Sequence, residues 1–195
     1  MKLTPENLLN GYAQGIFPMA EADGTIYWYD PDPRTILPLD GFHASRSLKR
    51  RVRQGGFEVT FDKDFRQVMV ECAAPAPGRE ETWINEELID LYTALHENGF
   101  AHSVEIRIDG HLKGGVYGVA IGRLFAGESM FSRVSNGSKL ALVGLVNHLK
   151  LSGFVLLDIQ FVTDHLKRLG AREIPRDQYQ IELARALTVE TQFVV

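Results

Sequence analysis

The stretch SVEIRIDGHLKGGVYGVAIGRLFA, Ser103 to Ala126, decides the fold. Ser103 to Ile108 reads as a strand. Asp109-Gly110 tolerates the left-handed backbone that a tight hairpin needs, and Leu112 to Ile121 returns as the partner strand. Arg123 to Ala126 reads as a third strand leading into Gly127-Glu128-Ser129-Met130-Phe131-Ser132. A helix over Ser138–Leu151 follows, and then the apolar strand Phe154 to Phe161. An antiparallel meander, a helix and a further strand make an α+β pattern.

Outward from this centre the punctuation is regular. Thr4-Pro5-Glu6 starts a helix, with threonine as cap and proline in the first turn. Leu8, Leu9 and Tyr12 give that helix an apolar face, and Gly15 stops it. Ile16 to Met19 reads as a bend. Ile26 to Tyr29 is a short aromatic strand, ended by the turn Asp30-Pro31-Asp32-Pro33. Residues 1–35 are too few to hold a core, so they read as a small N-terminal subdomain packed on a main body over 36–195. In that body Ser45 to Gln54 is a helix closed by Gly55-Gly56, and Phe57 to Phe61 is a strand. Asp62 is expected to cap a helix running to Ala73. The loop Ala74-Pro75-Ala76-Pro77-Gly78 leads to a helix over Asn85–Asn98, closed by Gly99. Two short helices, Asp164–Leu169 and Arg176–Leu187, finish the chain. The whole suits an N-acyltransferase-like mixed sheet flanked by helices, although fold alone does not fix chemistry.

Composition narrows the function classes. With 195 residues and a net charge of −4, the chain is no uniformly basic nucleic-acid coat, so any such contact needs a local patch. No apolar run approaches a membrane span, and MKLTPENLL lacks the apolar stretch of a signal peptide. The single cysteine, Cys72, excludes an internal disulfide, and no Cys/His cluster has metal-binding spacing. The expectation is a cytoplasmic, monomeric protein without metal or cofactor.

Four groups of residues can carry chemistry. In Leu156-Leu157-Asp158-Ile159-Gln160-Phe161, strand alternation puts Asp158 and Gln160 on one face and Leu157, Ile159 and Phe161 on the other. A carboxylate in so apolar a segment needs a hydrogen-bonding or charged partner; backbone amides at a strand end would also serve. Glu128 sits between Phe125 and Met130-Phe131, on a surface turn or in a cleft wall. Arg46, Lys49, Arg50 and Arg53 fall on one helical stripe, with Leu48 and Val52 opposite to anchor it. Like charges at i,i+4 repel, and a phosphate backbone would compensate them, as solvent would more weakly. Phe17, Tyr27, Trp28, Tyr29, Trp83 and Tyr92 form an aromatic set, of which Trp83 could stack on a base. There is no P-loop, no G-x-S-x-G elbow and no histidine placed to activate Cys72. The chain therefore lacks equipment for activating a substrate itself.

Taken together, GYAQGIFPM, WYDPDPR, FHASRSLKR, TWI, LHENGFAHSVE, GGVYGVAIG, LFAGESMFS, SKLAL, LLDIQF and GAREIPR run in order from about residue 8 to 180. In this the chain resembles the bacterial leucyl/phenylalanyl-tRNA–protein transferases. The resemblance implies an acetyltransferase-like fold and transfer of Leu or Phe from aminoacyl-tRNA to proteins beginning with Arg or Lys, marking them for degradation. It implies catalytic roles for Asp158, Gln160 and Glu128, and a side-chain pocket of Val116, Phe125 and Met130. It puts the terminal adenosine at Trp83, Tyr92 and Met19, methionine standing where an aromatic residue is common. Arg107 replaces a frequent tryptophan, and a leading segment common in the family is absent. The aminoacyl ester arrives activated, so the acceptor's α-amine attacks it directly. Asp158 is expected to hold the amine through Gln160, as base or only as orienting group, Glu128 to fix the amino end of the donor or the basic acceptor, and the basic stripe to hold tRNA. The competing readings are an acetyl-CoA-dependent N-acetyltransferase, disfavoured by the glycine-poor stretch Met130 to Ser138, and a non-catalytic RNA-binding module.

Overall fold

The structure is a computed structural model that describes residues 3–76 and 82–194. In chain order its elements are α1 (Pro5–Ala13), β1 (Phe17–Ala20), β2 (Ile26–Tyr29), β3 (Arg34–Ile36), α2 (Arg46–Gln54), β4 (Glu58–Phe61), α3 (Phe65–Ala73), α4 (Glu86–Glu97), β5 (Ala101–Ile108), β6 (His111–Ile121), β7 (Leu124–Ser132), α5 (Gly137–Leu151), β8 (Leu156–Gln160), α6 (Asp164–Arg168), β9 (Arg172–Ile174) and α7 (Arg176–Ala186). Thr4, Ser45, Asn85 and Thr163 accept amide hydrogen bonds at the starts of α1, α2, α4 and α6, each using a side-chain oxygen to satisfy a donor the helix leaves open.

Seven strands form the main sheet in the order β4-β5-β6-β7-β8-β3-β9. β4 to β7 are antiparallel neighbours, with β5 to β7 a meander and β4 joined to β5 through α3 and α4; the chain then crosses through α5 and returns as β8, parallel to β7. This is the acetyltransferase-like arrangement expected. One face carries a core around Tyr12, Val68, Met69, Leu88, Tyr92 and Tyr117, supplied by α1, α3 and α4. The other carries Leu48, Leu140, Leu145, Leu149 and Leu157, supplied by α2, α5 and the sheet itself. Among the described residues no helix is long and apolar enough to cross a membrane.

The structure corrects several local expectations. The segment expected to bend at Ile16–Met19 is strand β1, paired antiparallel with β2 in a separate two-stranded sheet; Pro18 is tolerated because the hairpin is an edge. β3 and β9 were not foreseen, since three-residue strands are too short to show a period. Asp62 does not cap α3. Its φ is 54°, and its carboxylate accepts from the Ser103 amide at 2.8 Å, while Asp64 takes the N-cap position. Val52 is 38% exposed and leaves Leu48, at 1%, as the buried anchor of α2. Of the loop Ala74 to Gly78, Pro77 and Gly78 lie outside the described residues.

The strand expected over Arg123 to Ala126 is β7 and runs on to Ser132, so Glu128 is a strand residue and not part of a turn. Pairing with β6 steps from Gly127↔Gly118 to Ser129↔Tyr117, which leaves Glu128 as the extra residue of a β-bulge. A bulge shifts strand parity by one. Phe125 and Met130, an odd number of residues apart, consequently face the same core.

Candidate active site

The parallel pairing of β7 with β8 ends at Ala126↔Asp158. Beyond it the bulge at Glu128 deflects one strand, and Gln160, at φ 62°, turns the other. The strands part, and the polar side chains beyond the last pair meet across the gap: Gln160 Nε2 donates to Glu128 Oε1 at 2.7 Å. Left-handed backbone at a non-glycine residue is costly. Asp158 compensates locally, its Oδ1 accepting from the Gln160 amide at 2.9 Å. The turn also breaks the alternation expected of Phe161, whose ring packs edge-on against Phe17 at 5.7 Å, half exposed.

Asp158 is fully buried and its partner is Arg34, also buried. The guanidinium grips both carboxylate oxygens, with Nε 3.0 Å from Oδ1 and Nη2 2.5 Å from Oδ2. Tyr179 of α7 donates to Oδ2 at 2.8 Å, and Arg34 donates onward to the Gly15 carbonyl at 2.8 Å. The guanidinium is stacked between the rings of Phe17 and Tyr179, at 4.7 and 4.5 Å. Burial opposes the Arg34 charge, but the hydrogen bonds and charge of Asp158 outweigh it and hold the guanidinium above its ordinary pKa. Burial and the Asp158 charge together push the Tyr179 phenol up. The expected carboxylate is thus present but sealed, and its oxygens are occupied by donors.

Glu128 is the carboxyl that remains open. It is only part-buried and lines a cavity of about 70 Å³ with Val116, Met130, Leu142, Leu157, Ile159 and Leu166. Burial pushes its pKa up to about 7, aided by the charge of Asp158, against the pull of hydrogen bonds from Tyr12 and Gln160 and of the Arg34 charge. On its other side Tyr92 donates to Oε2 at 3.4 Å, and the Tyr92 and Tyr12 hydroxyls are hydrogen-bonded to each other.

Of the expected side-chain pocket, Val116 and Met130 line the cavity. Phe125 lies behind it in the core, against Phe154 and Phe193. Met19 and Trp83, expected at the adenosine, both line an open cavity of about 430 Å³ with Ala20, Glu21, Ala22 and Thr82, tied together by the Ala20 amide on the Trp83 carbonyl at 3.1 Å. Tyr92 is a correction: it is 0% exposed and edge-packed between Tyr12 and Tyr117, so no ring face is open to a base. Arg46, Lys49, Arg50 and Arg53 are exposed on α2. Arg107, on β5, is bonded to Asp64 and to the Gly110 carbonyl.

The fold also makes a cluster that spacing did not show. Asp62, His96 and His102, from three segments, bring ligating atoms within 4.8 Å of one another. Those atoms are engaged internally: His102 Nδ1 lies 2.7 Å from Asp62 and Nε2 3.1 Å from the Gly99 carbonyl, and His96 Nδ1 lies 2.8 Å from the Ala101 carbonyl. The stacking of His102 on Phe193 at 4.3 Å makes this an anchor for the end of the chain.

Sequence reasoning missed Arg34, Tyr179 and Tyr12. The signal for the first was available, since a carboxylate in an apolar strand requires a counter-charge and Arg34 closes the quoted WYDPDPR. Nothing local marks the two tyrosines.

What this geometry offers is an apolar recess beside a carboxyl whose pKa is raised to about 7. Such an arrangement suits an acyltransferase. Within that class, the chain belongs to the leucyl/phenylalanyl-tRNA protein transferase family, whose model matches residues 36–184, with the model of that family's N-terminal domain matching residues 1–32. It is 53% identical over 193 residues to the leucyl/phenylalanyl-tRNA–protein transferase of Herpetosiphon aurantiacus, covering 98% of each chain. Over 190 residues it is 55% identical to that of Maricaulis maris, covering 96% of this chain and 88% of the relative. Among solved structures, L-PGS from Bacillus licheniformis is similar with a TM-score of 0.48 and 14% identity, over 80% of this chain and 58% of that one.

Proposed function

We propose that the protein transfers Leu or Phe from aminoacyl-tRNA to the α-amine of proteins beginning with Arg or Lys, with Glu128 as proton acceptor. The observation that carries this reading is the Glu128–Gln160 hydrogen bond at the rim of the apolar cavity, where β7 and β8 part. The leucyl or phenylalanyl side chain enters the cavity, where Met130 can adapt to either shape. Gln160 spends its amide N–H on Glu128, so its carbonyl oxygen is the end left to orient the incoming amine. Asp158, gripped by Arg34 and Tyr179, fixes the backbone of Gln160.

The neutral amine attacks the ester carbonyl, a C–N bond forms, and the C–O bond to the terminal ribose breaks. The amine loses one proton to Glu128, and the ribose oxygen gains one. An α-amine with an ordinary pKa of about 7.7–8.0 is partly neutral at pH 7. Orientation, on the order of 7–11 kcal/mol, therefore outweighs the roughly 10²–10⁴-fold of base assistance. Met19 and Trp83 flank the terminal adenosine, and the α2 stripe of Arg46, Lys49, Arg50 and Arg53 holds tRNA phosphates. We place the protein in the cytoplasm as a monomer, with residues 1–35 as a subdomain set on the body.

The deciding experiment is transfer of radiolabelled Leu from leucyl-tRNA to an Arg-initiated peptide, without ATP or CoA. Label on that peptide, and none on its Nα-acetylated form, is the expected result. Absence of transfer despite tRNA binding would overturn the reading.

A further inference from the structure

Two tyrosines in the core do something that packing does not require. Tyr12 of α1 is 2% exposed and Tyr92 of α4 is 0% exposed, both among apolar side chains. A phenol hydroxyl in such surroundings is costly unless bonded, and phenylalanine would fill the same volume without that cost. Their hydroxyls bond to each other, and the chain continues through Tyr92 to Glu128 Oε2 at 3.4 Å and from Glu128 Oε1 to Gln160 at 2.7 Å. The chain links α1, α4, β7 and β8, and its open end lies at the cavity.

We propose that Tyr12 and Tyr92 are positioning residues of the transfer reaction: their linked hydroxyls hold the Glu128 carboxyl against Gln160 and stabilise its ionised, proton-accepting form. The proposal rests on the reading of Glu128 as proton acceptor. Direction follows from donor chemistry. Burial and the nearby Glu128 charge raise both phenols well above their ordinary value, so each keeps its proton and donates. A carboxylate that receives these donors is stabilised relative to its acid. The other polar groups around Glu128 are Gln160 and Asp158 on β8, Arg34 on β3 across Asp158, and Tyr117 on β6, whose ring meets Tyr92 edge-on at 5.8 Å.

The test uses Tyr12→Phe, Tyr92→Phe and the double variant, all of which keep the ring volume, with Glu128→Gln as reference. Two midpoints are measured: that of the acid limb of kcat/KM for transfer to an Arg-initiated peptide, and the native-state midpoint of Glu128, read as the pH at which the stability difference from Glu128→Gln levels off. Removing a donor to a charged group should move both midpoints upward by about one pH unit. The single variants then lose roughly tenfold in rate at pH 6 and recover above pH 8.5. Equal loss at every pH with both midpoints in place would reduce the hydroxyls to packing and overturn the proposal, leaving Glu128 as acceptor if Glu128→Gln is inactive. A shifted stability midpoint with an unmoved acid limb would overturn the reading of Glu128, and with it the tyrosines' part in the reaction.

Discussion

Glu128 makes the fold less stable than it could be, and the amount can be worked out. A carboxyl displaced from 4.5 to about 7 on folding binds a proton more readily in the native protein than in the unfolded chain. Its contribution to stability is fully present below about pH 4.5 and is lost as pH rises through 7. At about 1.4 kcal/mol per pH unit, the loss amounts to slightly more than about 3 kcal/mol on the alkaline side. Glu128→Gln keeps the shape, an acceptor for Gln160 and a neutral charge at every pH, so it escapes the loss. Its advantage over the parent should be small at pH 4.5 and grow to about 3 kcal/mol by pH 8.5. For a domain of this size, each kcal/mol moves Tm by about 2–4 °C, so the variant should melt roughly 6–12 °C higher at pH 8.5 while losing transfer activity. Thermal melts followed by circular dichroism at half-unit steps of pH measure the difference. A difference that stays flat from pH 4.5 to 8.5 would refute the reasoning, because a group that titrates alike in both states cannot be a strained carboxyl.

Arg34→Ala strands the buried Asp158 charge and should cost about 3–5 kcal/mol by urea denaturation; a cost below 1 kcal/mol would mean that Asp158 finds other donors. Met130→Ala enlarges the cavity of about 70 Å³, and the ratio of kcat/KM for Phe over Leu should rise by about tenfold; an unchanged ratio would place the side-chain pocket elsewhere. Neutralising Arg46, Lys49 and Arg50 together should flatten the logarithmic salt dependence of tRNA binding by about two to three. An unaltered slope would leave the stripe merely solvated.

How far these features could be read from sequence depended on the range of the interactions behind them. The hairpin at Asp109-Gly110, the Thr4-capped first helix, and the helix and apolar strand that become α5 and β8 rest on local chemistry and are legible. Sequence leaves Glu128 between a surface turn and a cleft wall; strand alternation fails across a bulge, and a bulge is fixed by pairing with Gly118 and Tyr117, ten or more residues away. Phe161 was assigned to the wrong face because the left-handed turn at Gln160 is held by the Asp158 side chain and not by any residue preference. Asp158 was correctly flagged as needing a partner, but Arg34 lies 124 residues earlier on a strand too short to announce itself. Tyr12 and Tyr92 look like ordinary apolar-face residues of their helices; only the sheet between them and β8 gives their hydroxyls a task.

The two carboxylates of the site divide their labour by environment. Asp158 is deeply buried yet surrounded by donors, and its charge is matched by Arg34, so it serves as a fixed internal ion pair that shapes Gln160. Glu128 is less buried and, among the described residues, has no salt-bridged cation of its own, and burial dominates its titration. Glu128, with its pKa raised to about 7, is thereby set apart from a carboxylate held in a structural ion pair. The separation depends on the ion pair staying closed. The Asp158 charge raises Glu128 while the Arg34 charge lowers it, and with both present the two contributions oppose each other. Losing Arg34 alone would leave the repulsion uncompensated, destabilising the strand and pushing Glu128 further from ionisation. Arg34 therefore links the stability of the sheet to the proton chemistry at its open end, although it lies behind Asp158 and out of reach of the substrate.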